Sequence, residues 1–126
     1  MSYLCTHMHI LDMRFSGQVS IEDFEQWLSQ FERFFLKKQY FVLVMQTAVN
    51  TTFPDEYRQI QAVWYKKYKL DFFKYCLGLA RIAQDQDDQV RLNTPALHSA
   101  WRVPYFVSLD QTSALQWAVQ QWICKS

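Results

Sequence analysis

Apolar and polar positions change their period several times along this chain, and each change marks an element. From His7 to Phe15, Leu11, Met13 and Phe15 alternate with Ile10, Asp12 and Arg14, the two-residue repeat of a strand with one wetter face. Ser16-Gly17-Gln18 ends it. From Ile21 to Lys38 the repeat lengthens. Ile21, Phe24, Leu28, Phe31 and Phe35 recur at steps of three and four, which lines one helix face with apolar side chains. Ser20 can cap that helix, Asp23 stands near a capping-box position, and Lys37 and Lys38 complement the dipole at its far end.

Tyr40 to Met45 is an uninterrupted apolar run rich in strand formers, as expected of a central strand covered on both sides. A polar loop, Thr47 to Thr52, follows. Thr52-Phe53-Pro54-Asp55 then carries the signs of a helix start, and the helix is expected to run to about Tyr75. Leu77 to Ala83 reads as a third strand. Gln84 to Trp101, punctuated by Thr94-Pro95, reads as a loop with one or two short helices. Val103 to Leu109 reads as a fourth strand, and Thr112 to Ile123 as a last helix capped by Asp110.

The order β-α-β-α-β-α-β-α implies right-handed crossovers. It predicts one α/β domain over residues 1–126, a mostly parallel four-stranded sheet covered by helices. The first strand, the wettest, is expected at an edge, where either pairing direction is open to it.

Composition narrows the function. The 126 residues are 50% hydrophobic and 17% aromatic, with only 2 Gly, which suits a packed core rather than disorder. A formal charge of +1 creates no field for nucleic acid or anionic lipid. No apolar run approaches the roughly 20 residues of a membrane span. Cys5, Cys76 and Cys124 lack metal-type spacing, and the opening residues lack the pattern of a secretory leader, so a cytoplasmic protein with idle thiols is expected.

Candidate chemistry is sparse. Ligands of open α/β sheets bind beyond the carboxyl ends of the strands. That rule gathers Asn50, Thr51, Thr52, Gln84, Asp110, Thr112 and Ser113 as pocket candidates, although such residues are also ordinary caps and turn formers. Neither a dinucleotide nor a P-loop fingerprint is present, and no nucleophile elbow marks a hydrolase. His7 and His9 share a strand face, but exposed strand histidines need no metal, and neither a metal nor a cofactor is expected. Cys76 or Cys124 with His98 would make a catalytic pair only if the fold joined them.

The second helix is unusual. Ile60, Trp64, Tyr68, Phe72 and Tyr75 form its inward stripe, leaving Tyr57, Tyr65 and Phe73 beside or outside it as interface candidates. Cover from within the same chain is the competing explanation. Lys66, Lys67, Lys69 and Lys74 on this helix read as a solvated face rather than a nucleic-acid surface, since Asp85, Asp87 and Asp88 follow closely.

The element order, and the loop Asn50-Thr51-Thr52 between the central strand and a helix, resemble small STAS domains of the SpoIIAA type. The resemblance spans nearly the whole chain at the level of element order. In the anti-sigma-factor antagonists of that family a phosphorylatable Ser or Thr occupies a comparable position, which would implicate Thr51 or Thr52. The family's D-x-S-G-like run is replaced here by Asn-Thr-Thr-Phe-Pro. The sequence thus predicts a non-enzymatic interaction or regulatory module that meets a protein partner or a second copy of itself. The alternative is a small-ligand binder or enzyme using the strand-end pocket.

Overall fold

A computed structural model describes residues 3–125, and among them four strands form one sheet. In chain order the elements are β1 (Ile10–Phe15), α1 (Ile21–Leu36), β2 (Phe41–Thr47), α2 (Tyr57–Tyr75), β3 (Cys76–Ile82), α3 (Gln86–Leu92), α4 (Pro95–Trp101), β4 (Tyr105–Ser108) and α5 (Gln111–Lys125). The strands lie side by side in the order β1-β2-β3-β4, and every neighbouring pair is parallel. β1 is the expected edge, and it pairs in the parallel sense.

Strands in sequential order with right-handed crossovers must place the intervening helices on one face. Helices α1 to α4 accordingly gather on one side. The pleat sends Leu11, Leu43, Leu79 and Tyr105 there as one row across the sheet. The opposite row, Asp12, Val44, Ala80 and Phe106, faces α5. Ala114 and Ala118 are fully buried, so α5 sits close against Val42, Val44, Ala80 and Ile82. Gly78 makes the same fit possible. It lies where two residues of β3 oppose one of β2, and a Cβ there would stand 2.8 Å from Trp117 Cη2.

Local chemistry explains most boundaries. Ser20 Oγ accepts the Asp23 N–H at 3.1 Å while Asp23 Oδ2 accepts the Ser20 N–H at 3.4 Å, so the capping box forms with aspartate in the glutamate position. Phe24, Leu28, Phe31 and Phe35 are the buried stripe of α1. Glu32 ties α1 to α2 by accepting from Trp64 Nε1 at 3.1 Å and Tyr68 Oη at 2.9 Å.

Other boundaries move. α2 starts at Tyr57, because Thr52 is held in extended backbone: its N–H donates to Gly17 O and its carbonyl accepts from Val19 N, both at 2.9 Å. β1 starts at Ile10 rather than His7. β3 follows α2 without a loop, and it begins one residue early, at Cys76. β4 shrinks to four residues, since Pro104 contributes only its carbonyl, to Leu79 N, and Ser108 Oγ turns the chain by bonding to Asp110.

Candidate functional site

The third crossover shapes a recess on the helical side. α1 and α2 have 16 and 19 residues, whereas α3 and α4 have 7 each and cannot cover as much of the sheet. A cavity of about 470 Å³ remains above the carboxyl ends of β1, β2 and β3.

One wall is aromatic. Phe15, Trp27, Phe53 and Tyr57 line it, with Phe15 5.1 Å from both Trp27 and Phe53, and Phe53 5.1 Å from Tyr57 between ring centroids. Trp27 is oriented by a bond from its Nε1 to Met13 Sδ. Trp101, at the end of α4, closes another side, with its Nε1 buried and unpartnered.

The facing wall carries Arg81, Gln84, Asp88 and Arg91. Asp85 caps α3 by accepting the Asp88 N–H at 2.8 Å, which turns Asp88 back toward the strand ends. There Asp88 accepts the Gln84 N–H at 3.0 Å and pairs with Arg91. The Gln84 side chain donates to Thr47 O at 2.9 Å, joining the ends of β2 and β3. Arg81 comes from β3 in the row Met13, Met45, Arg81 and Val107.

Burial pushes the Asp88 carboxyl up, but the Gln84 N–H, the Arg91 bond and charge, and the Arg81 charge outweigh it and hold the group below the ordinary carboxylate value. Asp88 therefore contributes stability that is complete above the unfolded-state value and is lost as pH falls through its lower folded value. Asp88→Asn is expected to flatten the acid limb below about pH 4, read as melting temperature against pH. A variant with the wild-type acid slope would exclude this role. Burial also raises the Tyr105 phenol, against the opposing influence of Arg81, and Tyr105 Oη donates to Leu92 O at 2.9 Å.

Of the sequence-derived candidates, Gln84 and Tyr57 line this cavity. Asn50, Thr51 and Thr52 lie in the β2–α2 connection. Thr51 Oγ1 donates to Phe15 O at 3.1 Å, while Thr52 is exposed. Asp110, Thr112 and Ser113 stand at the start of α5, where Asp110 Oδ1 caps the helix by accepting the Ser113 N–H at 2.7 Å. Tyr65 and Phe73 are half-buried. They contact each other at 5.9 Å, Tyr65 also meets Phe72, and Arg102 lies over Phe73.

His98 packs against Tyr105 at 4.8 Å and bonds Asn93, whereas Cys76 is buried at the start of β3 and Cys124 is exposed on α5. Burial pushes the Cys76 thiol up to about 12, the opposite of nucleophile activation. His7 is exposed, but His9 is half-buried between Phe34 and Trp122. Among the described residues no three His, Cys, Asp or Glu side chains are grouped to hold a metal. No described helix is long and apolar enough to cross a membrane.

Arg81, Asp88, Arg91 and the aromatic wall were not assembled as a site by sequence reasoning. Arg81 did carry a signal: it interrupts an apolar strand in phase with Leu79. Comparison with protein-family models, with curated proteins and with solved structures finds no match to this chain in any of the three.

Proposed function

We propose that this domain is a non-enzymatic binding module of STAS-like kind, acting in the cytoplasm, whose ligand is a small molecule held in the strand-end cavity. The observation that carries this reading is the cavity itself. It lies beyond the carboxyl ends of β1, β2 and β3 and joins an aromatic wall to a few convergent polar groups. Its charged groups suit binding better than proton transfer, because Asp88 is held ionised by an arginine and a backbone N–H.

A thermal-shift screen with a panel of small molecules tests it. A ligand at 100 times its Kd stabilises the fold by about 2.7 kcal/mol, enough to raise the melting temperature measurably. Gln61→Trp, which places bulk at the cavity border, should erase those shifts. Shifts that persist in that variant, or a panel without a single shift, would count against the reading.

A protein partner is the second reading. Val63 and Leu70, seven residues apart and so on one face of α2, are 67% and 75% exposed. Sedimentation showing association that Leu70→Asp abolishes would favour it.

A further inference from the structure

We infer that the cavity selects a planar aromatic molecule bearing one oxyanion, and that Arg81 is the residue that binds the oxyanion. This rests on the ligand-binding reading above and names the class of ligand.

On the face that meets α1 and α2, the rows Leu11–Leu43–Leu79–Tyr105 and Met13–Met45–Arg81–Val107 contain a single charge, Arg81. A guanidinium on the inner face of a sheet is costly unless something compensates it. Among the described residues the ion pairs are Arg14 with Asp12 and Arg91 with Asp88, so Arg81 has no carboxylate of its own. Its neighbour Tyr105 is neutral: the hydroxyl donates to Leu92 O and its oxygen accepts from Arg81, which occupies one guanidinium N–H but leaves the charge unbalanced.

Charge balance points the same way. Two arginines and one aspartate face the cavity, an excess of one positive charge within walls that are otherwise uncharged. Guanidinium is donor-only and forked, so its complement is an acceptor with two oxygens in a plane, which both carboxylate and phosphate supply. Opposite it, Phe15, Phe53 and Tyr57 offer ring faces and edges to a flat apolar body. A volume of about 470 Å³ accommodates a fused two-ring molecule.

Isothermal titration with three probes of one shape provides the test: 1-naphthoate, 1-naphthyl phosphate and the neutral 1-naphthamide. At least one anion should bind roughly tenfold or more tightly than the amide, and which one binds better tells carboxylate from phosphate. Arg81→Met should weaken the anions by roughly tenfold or more and leave the amide unchanged, whereas Arg81→Lys should recover part of the preference. Matching circular-dichroism spectra would show that both variants fold, and Arg81→Lys alone can decide the matter if Arg81→Met does not. Amide binding equal to that of the anions, and lost in Gln61→Trp, would overturn the oxyanion inference while leaving the cavity a binding site. Failure of all three probes would overturn the inference and count against the binding reading as well.

Discussion

Replacing Phe41 by alanine is expected to cost about 3–5 kcal/mol of stability, lowering the urea midpoint and the melting temperature by on the order of 10 °C or more. Phe41 opens β2 at 0% exposure, and its ring meets four others, at 5.7 Å from Phe31, 5.3 Å from Phe34, 6.2 Å from Phe35 and 6.3 Å from Phe72. It therefore joins the sheet to both long helices at once. Deleting it leaves a void bounded by rings on α1 and α2 and by the backbone of β2, which cannot all collapse inward while the sheet holds its register. Total stability for a domain this size is only about 5–15 kcal/mol, so the loss is a large fraction of it. A loss below about 1 kcal/mol would mean that the helices hold to the sheet without this residue.

Enlarging Ala118 to leucine is expected to destabilise by about 1–3 kcal/mol, although leucine is apolar and nearly as good a helix former. The reason is geometric. Ala118 has no exposed surface and lies directly on the sheet, so added carbons must push α5 away. That movement would separate Trp117 from Phe106, with which it stacks at 5.4 Å, and Trp122 Nε1 from His9 O, to which it donates at 3.2 Å. Tryptophan emission should shift to the red in step with the loss. Val119→Leu, one residue on but at an exposed position, is the control and should change stability by no more than about 0.5 kcal/mol. Equal effects at the two positions would refute the close seat of α5.

The sequence was most readable where one local pattern sufficed. Ser20 and Asp23 announced the start of α1, and Asp110 announced the cap of α5; Thr94-Pro95, read only as a break between short helices, caps α4. Boundaries slipped where a distant segment competed for the backbone. Thr52 has the side chain of a helix cap, yet Gly17 and Val19 claim its N–H and carbonyl, so α2 begins later. The aromatic surplus of α2 is another such case. Tyr57 packs on Phe53 and Phe24, Tyr65 on Phe72, and Phe73 beneath Arg102, so neighbours within the chain cover part of each ring.

The site was less legible than the fold, for a physical reason. Polar residues near strand ends are abundant in any α/β chain, because turns and caps require them. Most of those gathered from the sequence do serve as caps or loop ties here. Arg81 and Asp88 gain meaning only from what surrounds them: a parallel register that sets Arg81 between Met45 and Val107, and a capped turn that directs Asp88 to Gln84 N and Arg91.

Periodicity, capping residues and element order were enough, taken alone, to define four strands, their mainly parallel pairing and one domain. These follow from local sterics and from the handedness of crossovers, which act over a few dozen residues. The tertiary structure decided which strand end would stay uncovered and which charges would face it. That outcome depends on two short helices meeting the far ends of a sheet whose rows draw on residues as distant as Met13 and Val107. No local pattern records such a meeting.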